Sequence, residues 1–323
     1  MSTVLDRLLK EGTRYNPNYL PSMNSDHLPM SLSAMTALGA PDDVLIEYQA
    51  QYAERLHEAP TSAFNPPAVT DTWQGHHDRE RFAWLQMLLL KRFEQSTVEH
   101  TVAEVLATTL DGIAAEAFHP LIRLGYALEA NHSPEIAAAL AYMVSSYSPM
   151  PLDITPLDDL GFTSLTSSLQ RQSTTPAAPY QRFGVGLREL TSNERYPLGS
   201  ARNLNECAHA SLSVYRSTRN FFALHMVTAT YAARVCSNYL DEVNQRRLLA
   251  ALTGALLAAH QIVGSPAFDA DRPVDVTEPD TEHLFKYLYV IKQEHALGHD
   301  PRYQDELSAF LEAGFTPTWL NIH

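Results

Sequence analysis

The chain has 323 residues, 45% of them hydrophobic, and a formal net charge of −14. That length supports one large core or two moderate ones, and a surface this acidic argues against a nucleic-acid partner, because phosphate binding calls for basic residues. Cys207 and Cys236 are the only cysteines, which make neither a disulfide framework nor a Cys/His zinc spacing.

The N-terminal stretch MSTVLDRLLKEGTRYNP lacks the apolar core of a signal peptide. No apolar run reaches the roughly 18 residues that span a bilayer, so a soluble, cytoplasmic protein without a membrane partner is the expectation. Apolar residues then recur at spacings of three and four, with Ala and Leu dominant. This period predicts helices over residues 30–39, 42–58, 78–95, 98–116, 120–130, 134–147, 204–217, 219–240, 243–262, 280–296 and 302–313. Start signals support several of them: Pro41 with Asp42 and Asp43, Thr97 with Glu99, and Ser133 with Pro134 and Glu135.

The expected fold is all-α, a multi-helix globular bundle forming a single domain over 1–323. Residues 148–203 break the pattern. They are rich in Pro, Ser and Thr and show no sustained helical period, yet Tyr180, Phe183 and Tyr196 give them apolar mass. A structureless loop of that length is unusual inside a compact domain, and the segment reads as an irregular cover packed over the helical core.

Several familiar sites are absent: no GxxxxGK[ST] loop, no GxSxG elbow, no HExxH. GVG at 184–186 lacks the third glycine and the strand–helix setting of a dinucleotide fingerprint. Histidine remains in quantity, with fourteen. The pairs Glu54/His57, Glu116/His119 and Glu206/His209 carry the Glu-x-x-His spacing of a ferritin-like di-iron site. His295 and His299 stand one turn apart at a helix end, where histidines commonly answer the helix dipole, and His76 and His77 read as a polar, exposed helix start.

Four histidines lie in apolar contexts instead: His27, His119, His225 and His283. Each alone fits a satisfied core histidine. Together, with Lys286 one turn beyond His283 on an apolar helix, they also fit several neutral imidazoles converging on one cation. His132 lies thirteen residues from His119, about 20 Å along a straight helix, and reads as a loop or cap residue.

Four blocks carry a family resemblance: DHLPMSLSAMTALGAPDDVLIEYQAQYAERL (26–56), AFHPLIRLGYALEANHSPEIAAALAYMVSSY (117–147), NFFALHMVTATYAARV (220–235) and EHLFKYLYVIKQEHALGHDPRY (282–303). In this order they resemble the questin oxidase-like family. The resemblance implies an all-helical, O2-using oxidoreductase acting on an aromatic, polyketide-like substrate by Baeyer–Villiger-type oxidation or ring cleavage. Some members are described as NADPH-dependent. It further implies one non-haem Fe(II) held by several histidines and a carboxylated lysine, which here gives His27, His119, His225, His283 and Lys286.

A lysine in an apolar helix has its neutral amine favoured by desolvation, and a neutral amine adds CO2. Arg123, one turn beyond His119, and Tyr287, next to Lys286, are then expected to hold a phenolate or quinone oxygen of the substrate. The sequence departs from fungal members in having one histidine, not a cluster, at His27, and Arg123 where another histidine often stands. A non-catalytic helical scaffold or small-molecule carrier is the competing expectation.

Overall fold

The computed structural model describes residues 3–61, 64–68, 71–151, 164–193, 201–267, 281–314, 317 and 319–320. Fourteen α-helices and one two-stranded sheet are found among these residues, so the fold is all-α as the 3.6-residue period requires. The buried apolar side chains form one connected cluster. No described helix is long and apolar enough to cross a membrane.

The chain starts with helix α1 (Thr3–Gly12), which the period had not brought out, although Leu5, Leu8 and Leu9 form a short buried stripe. A two-residue antiparallel hairpin follows, β1 (Asn18–Tyr19) with β2 (Asn24–Ser25). Helix α2 (Leu28–Ala37) is buried on almost every side. Helix α3 (Asp42–Ala53) stops short of the expected end at residue 58, because the chain turns polar and exposed there. Helices α4 (Phe82–Phe93) and α5 (Val98–Thr109) come next, and Thr97 caps α5 by accepting from the His100 amide at 3.1 Å.

The expected helix over 98–116 does not run through. After α5 the chain passes through two 3-10 segments, and three consecutive non-glycine residues take left-handed conformations: Glu116 (φ 50°), Ala117 (φ 54°) and Phe118 (φ 69°). Each is disfavoured by Cβ clashes, on the order of 1 kcal/mol or more. This reversal aims the next helix, α6 (His119–Glu129), into the centre of the molecule, where residues 119–128 are all buried.

Helix α7 (Ser133–Ser145) is capped by His132, whose Nδ1 accepts from the Glu135 amide at 3.1 Å. Within the supposedly irregular cover, two short helices form, α8 (Leu165–Gln172) and α9 (Phe183–Asn193). Each buries only a few apolar residues, too few to mark a period across the Pro- and Ser-rich sequence. Residues 152–163 and 194–200 of that stretch lie outside the described ones. Helices α10 (Leu204–Thr218), α11 (Phe221–Ser237), α12 (Glu242–Ile262), α13 (Thr281–Ala296) and α14 (Arg302–Glu312) complete the chain. Arg219, in a left-handed conformation (φ 49°), ends α10, and Asn220 caps α11. This splits the boundary two residues later than the period suggests.

Helix α6 packs against α2, α7 and α11. It crosses α11 closely at Gly125, where a Cβ would stand 2.8 Å from the Ala232 Cβ and 2.9 Å from its Cα. Helix α13 packs against α2 and α11 from the other side. The ends of α2, α6, α11 and α13 therefore meet.

Candidate metal centre

Four histidines stand where these helices meet. His27 is the N-cap residue of α2, and its backbone N–H donates to the Tyr52 hydroxyl at 3.0 Å. His119 is the first residue of α6, aimed inward by the left-handed run before it. His225 lies one turn into α11 and is fully buried. His283 and Lys286 project from one face of α13, and both are nearly inaccessible to solvent.

The donor atoms converge. Nε2 of His119 lies 2.9 Å from Nε2 of His27 and 3.1 Å from Nε2 of His225. Donor nitrogens of His27, His119 and His283 all fall within 4.8 Å of one another. The His225 ring centroid is 5.1 Å from that of His283 and 6.5 Å from that of His27. Nζ of Lys286 sits 2.9 Å from Nδ1 of His27. All five residues singled out in the sequence for a metal are thus brought together.

Two backbone carbonyls decide what this arrangement can do. Nδ1–H of His119 donates to the Glu116 carbonyl, and Nδ1–H of His225 donates to the Phe221 carbonyl at 2.8 Å. A carbonyl only accepts, so both rings carry their proton on Nδ1 and present a lone pair at Nε2. Burial lowers the pKa of all four histidines well below the usual value. For His27 and His283 the next contribution is the charge of Lys286; for His119 it is His225, and for His225 it is His283. Neutral imidazoles with lone pairs facing each other at 3.1 Å repel unless something electron-poor lies against both. A metal ion suits them: ligating histidines characteristically donate the other ring N–H to a backbone carbonyl.

A cavity of about 680 Å³ opens onto this cluster, lined by His27, His119 and His283. The hairpin and Arg79 form one side, and Phe221 and Phe222 from the start of α11 another. Residues 181–185 and Arg188, at the start of α9, complete the wall. Of the covering segment, the start of α9 thus lies over the site, whereas α8 packs against α10 and α12.

Residues 24–196, more than half of the chain, match the questin oxidase-like family. The chain belongs to the questin oxidase-like family. Membership points to an oxidoreductase acting on a small molecule. His27 and His119 lie inside the matched stretch, whereas His225, His283 and Lys286 lie beyond it. No curated protein matches the chain.

Two residues expected at the substrate are placed elsewhere in this family member. Arg123 holds Glu135 through Nε (2.6 Å) and Nη2 (3.0 Å), with both side chains buried away from the cavity. The turn that separates it from His119 keeps it on the core side, where Glu135 of α7 captures the guanidinium. Tyr287 is one residue from Lys286, which turns it about 100° around the helix. Its hydroxyl donates to Glu306 at 2.7 Å, and its ring packs against Tyr215 and Phe310. Neither lines the cavity.

The cavity instead holds two acidic residues, Glu282, which the sequence reading did not place at the site, and Glu116, which it had paired with His119. Glu282 lies beside the histidines, with Oε1 3.8 Å from Nδ1 of His27 and Oε2 3.3 Å from the Arg55 guanidinium. Its spacing of four from Lys286 was the available signal. Glu116 contributes its carbonyl to His119, while its carboxylate pairs with Arg79 and meets Asn18 Nδ2 at 3.3 Å.

The Glu-x-x-His pairs do not assemble into a two-metal site among the described residues. Glu206 accepts from the Leu165 and Arg202 amides, and His209 meets Asp300 and Arg302. Glu54 is exposed at the end of α3. His299 faces Glu294 at 3.1 Å, and His295 and His77 are exposed.

Proposed function

We propose that this family member is an O2-dependent oxidoreductase with one non-haem Fe(II), oxidising or cleaving an aromatic, polyketide-like substrate. The observation that carries the reading is the pair of Nε2 lone pairs on His119 and His225, each fixed by a backbone carbonyl, with His27 and His283 alongside. The four histidines would hold the ion, and Lys286, as its amine or as a carbamate formed with CO2, would be the fifth donor. A ferrous ion bound by imidazoles and one oxygen donor, with a position open, supplies O2 binding and redox chemistry.

The chain's own residues do the remaining work. The carbonyls of Glu116 and Phe221 keep two imidazoles in the tautomer that can ligate. Phe221 and Phe222 give a substrate ring a surface beside the histidines, and α9 shields it from bulk water. Glu282, with Oε1 3.8 Å from Nδ1 of His27, places a carboxylate beside the cluster, while Lys286 is the hydrogen-bond partner of that ring nitrogen.

Metal analysis of protein purified without added metal tests the reading. Close to one iron per chain is expected, with most of it lost in His225→Ala and in His283→Ala. Stoichiometric zinc in an oxygen-inert protein, or no metal, would overturn it and favour a helical carrier. A carbamate signal from labelled bicarbonate that Lys286→Met abolishes identifies the fifth donor as the carbamate, and its absence identifies the amine.

A further inference from the structure

The lining of the cavity has a charge opposite to that of the molecule. The chain carries −14 overall, yet Arg79, Arg182 and Arg188 face this one opening. The acidic groups there are already matched: Glu116 by Arg79, and Glu282 by Arg55. Arg182 and Arg188 flank the start of α9, both exposed, and neither guanidinium forms an ion pair among the described residues. Arg188 lies over Gly184, whose missing Cβ would sit 3.6 Å from its Nη1. Two cations are thus left facing the mouth of a cavity with no anion of the protein's own.

From α9 to the histidines the lining is aromatic and continuous. Phe183 of α9 contacts Phe222 with ring centroids 5.4 Å apart, and Phe222 contacts Phe221 at 5.6 Å. Phe221 then meets both His225 and His283 at 4.6 Å. Although it adjoins the buried histidines, Phe221 is 47% exposed. A large aromatic face left open to a cavity of about 680 Å³ is suited to a flat fused-ring ligand, because such volumes hold a small organic molecule with most of its surface covered.

We propose that the aromatic ligand of this cavity carries a carboxylate held at the mouth by Arg182 and Arg188, with its rings laid along Phe222 and Phe221 toward the histidines. This rests on the reading of the histidine cluster as the reaction centre, and it assigns the two arginines as binding residues. Guanidinium groups suit a planar carboxylate because they offer paired donors. Both are exposed, so each contributes modestly and the two act mainly as a charge filter.

The test uses 2-naphthoate and its neutral analogue 2-naphthamide, titrated calorimetrically into the full chain at low salt, with metal content measured on the same samples. Naphthoate should bind about tenfold more tightly than the amide. Arg182→Gln/Arg188→Gln should bring the two within about twofold by weakening the acid alone, while Arg182→Lys/Arg188→Lys keeps most of the preference. Unchanged melting of both variants separates lost charge from lost fold. Equal binding of acid and amide, binding of neither, or a preference that survives in the glutamine variant would overturn the proposal. Protein that lacks metal yet still prefers the acid would instead sink the oxidoreductase reading and leave the anion site standing.

Discussion

At His119 and His225 the ring orientation is set by main chain, which no single side-chain change can remove. Elsewhere around the site orientation depends on side-chain pairs, and these can be tested singly. Arg123→Met leaves the Glu135 carboxylate buried without its cation, which should destabilise the fold by about 3–5 kcal/mol in a urea titration. Adding Glu135→Leu should recover most of that loss. Tyr287→Phe removes only the hydroxyl that donates to Glu306, which Arg219 also holds. A loss of about 1 kcal/mol is expected, with metal content unchanged; a loss of metal would return Tyr287 to the site. The identities of the converging residues were legible because imidazoles and a lysine in apolar helices need a reason to be there. The roles of Arg123 and Tyr287 were not, because their partners, Glu135 and Glu306, lie on other helices and carry no mark of that pairing in sequence.

Among the elements, the crossing of α6 with α11 fixes the spacing of His119 and His225. Gly125 permits it, and Gly125→Ala would bring a methyl within 2.8 Å of the Ala232 Cβ. The helices must then separate. Net destabilisation of about 1–2 kcal/mol is expected, partly offset by alanine's better helix propensity, together with weaker metal retention. Ala232→Gly in the same background should restore little, because the new methyl would still stand 2.9 Å from the Ala232 Cα; unchanged metal retention in Gly125→Ala would show that the crossing does not govern the site. Most long helices could be read from their apolar period and caps. Helix α9 could not, since Phe183 and Leu187 are its only large buried anchors and its role lies in what it covers. The left-handed run at Glu116–Phe118 was equally hidden: without a glycine it looks like a continuing helix, and only packing pays for its conformation.

For the molecule as a whole, the histidines make stability depend on pH. Unfolded, each titrates near its ordinary value of about 6.5; folded, the four site histidines stay neutral well below it, and His260, buried on α12, is lowered to about 4. As pH falls below about 6.5 the unfolded chain takes up protons that the folded chain refuses. Stability therefore falls with pH, by about 1.4 kcal/mol per pH unit for each such histidine. Asp26 and Glu129 act oppositely: burial raises the pKa of Asp26 to about 6 and also raises that of Glu129, so their folded forms bind extra protons as pH falls. Five groups outweigh two, and metal-stripped protein should show a urea midpoint that drops steeply between pH 7 and pH 5. A flat profile would mean that the imidazoles are not neutral in the fold. His260→Gln should reduce the slope by one group's share.

The five converging side chains are spread from residue 27 to residue 286. During synthesis His27 and His119 are made long before α13 exists, and the pocket has no closing wall until His283 and Lys286 arrive. On the proposed reading, a complete set of donors exists only after translation of nearly the whole chain, and a ribosome stalled before α13 would display three of the five, His27, His119 and His225, without His283 and Lys286.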